Sequence, residues 1–299
     1  MDRKPEQRPN MEEMIAQLRG SRFESWRVMR QQLLDEGWTR WMLWEGEVPN
    51  WKPEVTDQDP PSLYLMQPIL PGKGLFIVCA GGGFMFKSYN EAKPVAEYFH
   101  ARGINAAVLD YRVGPYTQLD SCADGLRAVR LVRSRAAELG IPADKIAIGG
   151  FSAGGMLTGM VSTRFDYGNP DAADPVERVS SRPDAALVLY GAFGGLGAPQ
   201  GGLGFDNAKQ NEAARMNNVK NLRWDCPPFF LFQTHKDDPS LAMRWGLECA
   251  ERGIEFEVHT FHEGSHGQGL YDGKNEVEDV PHTAHWAELA AEWLHDYGF

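Results

Sequence analysis

The feature that most limits the fold is a series of short apolar runs spaced by helix-length segments. Leu75–Cys79 reads Leu-Phe-Ile-Val-Cys, and Asn105–Asp110, Lys145–Gly149, Ala185–Tyr190 and Phe229–Gln233 are of the same kind. A strand that is apolar along its whole length has both faces covered, which is the condition of a parallel sheet with crossover helices on either side. Helices are expected at about 90–102, 119–139, 240–252 and 283–297, with a further strand at Glu255–Phe261. The alternation predicts an α/β chain with a buried, mostly parallel central sheet flanked by helices.

Ahead of this pattern lies a stretch of another type. Met11, Met14, Ile15 and Leu18 recur at helical spacing, as do Trp26, Met29, Leu33 and Leu34, with a break expected at Gly20-Ser21. Trp38, Trp41, Trp44 and Trp51 follow, among prolines at 49, 53, 60 and 61 that favour extended chain. We read residues 1–42 as a helical N-terminal extension and 43–299 as one domain. A Gly-, Asn- and Ala-rich segment at about 192–222 interrupts it and reads equally as a small lid or wall of the acyl pocket and as a disordered surface insertion. The tryptophans could serve as an aromatic platform for a sugar ring, but large aromatics mainly supply buried area. Packing of the arm onto the core or a partner subunit is therefore the preferred reading.

Gly150-Phe151-Ser152-Ala153-Gly154 matches G-x-S-x-G, preceded by a strand and followed by small residues that can open a helix. A chain that turns from strand to helix at a serine holds that serine in a strained conformation with its hydroxyl exposed. Ser152 is the candidate nucleophile. Attack on an ester carbonyl builds an oxyanion that preorganised N–H groups must receive. The amide of Ala153, at a helix start, is one candidate donor; Gly82 and Gly83, in the Ala80-Gly-Gly-Gly-Phe84 loop after the first core strand, are the others. Phe84 and Phe151 flank these positions and are candidate substrate contacts.

A serine nucleophile needs a base and an acid to orient it. His266 lies on the glycine-flanked loop after Glu255–Phe261, and Asp237 and Asp238 follow Phe229–Gln233. Asp238 precedes Pro239 and suits a helix N-cap with the proline at the first helical position, which leaves Asp237 to face the histidine. His262-Glu263-Gly264-Ser265-His266 also spells H-E-x-x-H, the zinc-protease pattern, but that pattern works only on a helix, and the glycine and the preceding strand argue for a loop. No G-x-G-x-x-G or phosphate-loop motif occurs. The four cysteines show no C-x-x-C pairing and are expected to be free and buried. No metal or organic cofactor is called for.

Composition narrows the partners. A net charge of −11 argues against nucleic acid. No apolar run approaches the roughly 20 residues of a membrane span. The polar N-terminus shows no secretory leader, so a cytoplasmic location is expected. A small-molecule or saccharide ester is the expected partner, with a homo-oligomer left open.

From about residue 43 onward the chain resembles the acetyl xylan esterase/feruloyl esterase-like branch of the α/β-hydrolases, and is similar to hormone-sensitive-lipase-like esterases. The matching pieces, in order, are Leu43–Pro49, Cys79–Phe84, Asp110–Pro115, Gly150–Gly155, Gln233–Asp238 and Glu263–Leu270. Similar enzymes carry Pro or His where this chain has Ala80, and often Val-Pro after the acid, which is absent here and keeps the choice between Asp237 and Asp238 open. The resemblance implies an α/β-hydrolase fold and a serine carboxylesterase acting on short acyl esters, especially acetyl esters of saccharides. The same residue set could also serve a peptidase, thioesterase or acyltransferase, or persist in a non-catalytic binding protein of this fold.

Overall fold

A computed structural model describes residues 11–191 and 218–299. Among these, eight strands form one sheet: β1 (Thr39–Met42), β2 (Ser62–Leu65), β3 (Leu75–Cys79), β4 (Asn105–Asp110), β5 (Ile146–Phe151), β6 (Ala185–Leu189), β7 (Phe229–Thr234) and β8 (Phe256–Phe261). Their spatial order is β1-β2-β4-β3-β5-β6-β7-β8. β1 and β2 pair antiparallel, as do β2 and β4; every other pairing is parallel. β1 therefore lies before residue 43 and is part of the sheet.

Side chains alternate between two faces, as strand geometry requires. Phe76, Val78, Val108, Leu187 and Phe230 point to one face, under α1 (Met11–Asp35), α2 (Lys93–His100) and a C-terminal helix, Trp286–Asp296. Leu75, Ile77, Leu109 and Ile148 point to the other, under α3 (Gln118–Ser134) and α4 (Ala153–Arg164). Val188 and Leu231 extend that face under α5 (Ser240–Glu251). Each fully buried phenylalanine in these layers contributes about 2–3 kcal/mol.

The chain runs from β3 to β4 on one side, then returns past β3 to β5 on the other. Connections that leave neighbouring strands in opposite directions open a crevice at their carboxyl ends, where ligands bind in such sheets. That crevice lies between the loops after β3 and β5.

Three expectations need correction. α1 continues through Gly20; a helical glycine costs about 1 kcal/mol against alanine, and burial of Trp26, Met29 and Leu33 further along the helix outweighs it. The helix expected at 119–139 ends at Ser134, and a separate turn, Ala136–Leu139, closes on Gly140 in the left-handed conformation. The closing helix is likewise two pieces, Pro281–Ala284 and Trp286–Asp296. Most of the Gly-, Asn- and Ala-rich segment, 192–217, lies outside the described residues. No described helix is long and apolar enough to cross a membrane.

Candidate active site

Ser152 stands between β5 and α4 with φ 52° and ψ −116°. This backbone region costs a non-glycine residue about 1–3 kcal/mol and persists only where the surroundings enforce it. Here the Ser152 amide donates to the Leu189 carbonyl at 3.0 Å, and the Ser152 carbonyl accepts from Met156 at 2.9 Å. The glycines on either side permit the turn: a Cβ on Gly154 would lie 2.0 Å from the Cys79 carbonyl oxygen, and one on Gly150 would lie 2.5 Å from it.

His266 reaches this serine from the loop after β8. Its Nε2 is 2.7 Å from Ser152 Oγ, and its Nδ1 is 2.5 Å from Asp237 Oδ2. The histidine loop is pinned at several points. Thr234 Oγ1 donates to the Gly264 carbonyl, Tyr271 Oη to the Ser265 carbonyl, and the Ser265 amide and hydroxyl both donate to Glu278. Burial acts to lower the His266 pKa, but the hydrogen bond and charge of Asp237, with a smaller pull from Glu91, outweigh it and hold the imidazole above its ordinary value.

Asp237 and Asp238 meet different partners. The helix begins at Ser240 with Pro239 as its N-cap residue, one position later than the capping reading expects. Asp238 sits one residue earlier in the left-handed region, at φ 44°, and its Oδ1 accepts from the Ser240 amide and hydroxyl. Its carboxylate is therefore occupied at the helix start, while that of Asp237 faces the histidine.

The glycine loop lies against the serine: a Cβ on Gly81 would come within 2.9 Å of Ser152 Cβ. Gly82 turns at φ +129°, folded so closely that a Cβ there would strike the Phe86 carbonyl. The amides of Gly82, Gly83 and Ala153 donate to no described residue, whereas the Gly81 amide is engaged by Glu91. Ala153 opens α4, whose dipole adds roughly 0.3–1 kcal/mol of preference for an anion there.

Of the two phenylalanines, Phe151 departs from the expectation. Phe151 has no exposed surface; its ring is packed between Tyr190 and Trp286, so it supports the floor and cannot meet a substrate. Phe84 retains a small exposed edge and packs edge-on to Tyr111. The H-E-x-x-H segment is loop, with His262 turned to solvent and His266 to Ser152, so its two histidines share no helical face. No group of three potential metal ligands occurs among the described residues.

The aromatic arm packs inward. Trp38 is buried in the core, Trp41 lies under Arg135, and Trp44 lies beside Arg112 and Arg127. Trp26 donates to Asp110, a buried carboxylate also held by Lys87 and Arg30. Sequence reasoning missed two residues at the site, Glu91 and Tyr190, because neither belongs to a motif.

Residues 76–242 match the family described as alpha/beta hydrolase fold. That span covers more than half of the chain and includes β5, the serine turn and all of β3 but its first residue, and the chain belongs to this family. Among solved structures, the acetyl ester-xyloside bifunctional hydrolase from Caldicellulosiruptor lactoaceticus is similar at 31% identity and a TM-score of 0.79, with 87% of this chain and 97% of that chain covered. The endo-1,4-beta-xylanase B of Butyrivibrio fibrisolvens is 29% identical over 206 residues, 64% of this chain and 32% of that protein. The acetylxylan esterase of Xylanibacter ruminicola is 26% identical over 181 residues, 60% of this chain and 31% of that protein. The chain therefore spans about a third of the length of these curated relatives. An acetyl ester hydrolase and an acetylxylan esterase are thus among the proteins this chain is similar to.

Proposed function

We propose that the protein is a serine carboxylesterase that removes short acyl groups, acetyl above all, from hydroxyls of saccharides. The observation that carries the reading is the continuous contact from Ser152 Oγ through His266 to Asp237, at 2.7 and 2.5 Å. Ser152 Oγ attacks the ester carbonyl carbon as its proton passes to His266 Nε2. The carbonyl oxygen becomes an oxyanion received by the amides of Gly82, Gly83 and Ala153. Collapse of this intermediate breaks the bond to the alcohol oxygen, which takes the proton from His266 and leaves an acyl-Ser152. Water then attacks the acyl carbon and gives a proton to His266; collapse breaks the bond to Ser152 Oγ, which takes that proton back from His266 Nε2, and the carboxylic acid leaves. Asp237 holds the imidazole in the tautomer with its proton on Nδ1 and stabilises the imidazolium formed in each half. The scheme needs neither a metal nor an organic cofactor.

The saccharide half of the proposal draws on the relatives whose names specify acetyl ester-xyloside and acetylxylan. The test is a panel of p-nitrophenyl esters of rising chain length, with acetylated xylose and xylan oligomers, on wild type and Ser152→Ala. We expect the highest kcat/KM on acetyl esters, release of acetate from the sugars, and no turnover by the variant. Turnover retained in Ser152→Ala would overturn the mechanism. A preference for acyl chains of eight or more carbons, with acetylated sugars untouched, would overturn the substrate assignment.

A further inference from the structure

The short turn after the glycine loop, Tyr89–Glu91, holds a buried carboxylate to which the reaction above gives no part. Glu91 Oε2 accepts the Gly81 amide at 2.7 Å, and Oε1 accepts the Tyr190 hydroxyl at 2.7 Å. The Tyr190 hydroxyl in turn accepts the Gly269 amide at 2.9 Å. Gly81 abuts Ser152, and Gly269 follows His266 on its loop. The same turn makes a second clasp, in which Asn90 Nδ2 donates to the Gly267 carbonyl at 2.8 Å. Gly269 is folded tightly onto the turn, where a Cβ would fall 2.5 Å from the Asn90 carbonyl oxygen.

Tyr190 is placed for more than packing. It leaves β6 in the left-handed region, at φ 34°, and its ring centroid lies 5.0 Å from that of His266. Strain at a bulky residue persists only where surroundings compel it. The contacts that hold it there are its amide on the Phe232 carbonyl at 2.7 Å, its ring against Phe151 and Phe232, and the two hydrogen bonds on its hydroxyl. A buried carboxylate between them is costly: burial pushes Glu91 up from the ordinary carboxylate value, and the bonds from Tyr190 and Gly81 oppose the shift. An apolar side chain could fill the space without that cost, yet could not join two loops by their backbone amides.

We propose that Glu91, acting through Tyr190, is a positioning residue that sets the glycine loop and the histidine loop at their working separation, so that oxyanion donors and base address one carbonyl together. The inference rests on the serine-esterase reading. Misalignment of this kind costs turnover more than substrate binding, because the donors meet the oxyanion only in the transition state.

The test uses the full chain and counts active sites by titration with a p-nitrophenyl phosphonate, so that misfolded protein drops out of kcat. On p-nitrophenyl acetate, Tyr190→Phe should lower kcat per titrated site about tenfold with KM within about twofold. Glu91→Leu should lower it about 100-fold, and Glu91→Gln, which keeps an acceptor for Gly81, should recover about tenfold of that loss. Binding of phenylboronic acid, whose serine adduct is tetrahedral, should weaken in step with kcat. The double variant Glu91→Leu/Tyr190→Phe should fall no lower than Glu91→Leu, since both remove one linkage. If Glu91→Leu does not fold, Tyr190→Phe and Glu91→Gln carry the test. Per-site kcat and boronate affinity of Tyr190→Phe within twofold of wild type, with losses only in melting temperature, would overturn the proposal while the serine reading stood. A wild type that does not titrate with the phosphonate would sink both.

Discussion

Under the proposed mechanism, exchanging each of the two neighbouring aspartates for asparagine distinguishes the carboxylate that serves His266 from the one that serves the helix start. Asp237 Oδ2 lies 2.5 Å from His266 Nδ1, with 16% of its side chain exposed. At a charge separation of about 4 Å and an effective dielectric of about 20, a carboxylate and an imidazolium attract by about 4 kcal/mol. That alone is worth about three decades of rate, since each 1.36 kcal/mol is about tenfold. Asparagine can also turn its amide N–H toward Nδ1, which moves the imidazole proton to Nε2, facing Ser152, where it blocks acceptance of the serine proton. Asp237→Asn should therefore lose about 10³–10⁴-fold in kcat/KM for p-nitrophenyl acetate, and Asp237→Ala should lose less than Asp237→Asn. Asp238→Asn removes only a charge at the start of α5, where its Oδ1 meets the Ser240 amide and hydroxyl. Its per-site kcat should stay within about threefold, and its stability should fall by no more than about 1 kcal/mol in urea unfolding. A loss below tenfold in Asp237→Asn, or an equal loss in Asp238→Asn, would refute the assignment of the acid.

Three further outcomes follow from the structure. In the proposed mechanism His266 acts as a base only when neutral, and its pKa is raised, so kcat/KM should rise with pH through a midpoint above the usual histidine value of about 6.5; Asp237→Asn should move that midpoint down in whatever activity remains. Lys87 and Asp110 form a buried pair that also ties in Arg30 and Trp26, so Lys87→Met should destabilise the fold by about 3 kcal/mol in urea unfolding, and adding Asp110→Asn should restore part of the loss. Gly154→Ala should yield protein with no phosphonate-titratable serine, because the new methyl would meet the Cys79 carbonyl at 2.0 Å, and full titration of that variant would show that the turn is less tightly packed than described.

The parts of the site that could be read from the sequence are those whose work is done by the local backbone. Ser152 is legible because a strand that turns into a helix within one residue demands glycines two positions away on both sides, and Gly150 and Gly154 stand there. His266 is legible because only a loop after a strand at the carboxyl edge, freed by glycines, can carry a base to that serine. Asp237 is singled out by elimination: Asp238 is engaged at the helix start, where its Oδ1 accepts the Ser240 amide although the helix is counted from Ser240 with Pro239 ahead of it, and the Asp237 carboxylate faces His266. Phe151 shows the converse failure: adjacency to Ser152 suggested a substrate contact, but the last residue of β5 points into the layer beneath α2 and Trp286. α1 was expected to break at Gly20 on propensity, and tertiary packing overrode it.

Glu91 and Tyr190 lie beyond such reasoning for a physical reason. They are 99 positions apart, and the bond between them exists only because two separate loops converge over one switch point in the sheet. Local rules specify how each loop leaves its strand but carry no information on the distance between the loops. That distance is what a concerted attack depends on: a donor or base displaced by about 1 Å can cost on the order of 100-fold in rate. A fold that places nucleophile, oxyanion donors and base on different connections needs a link between those connections. In this chain the buried carboxylate of Glu91 holds the glycine loop directly and the histidine loop through the Tyr190 hydroxyl.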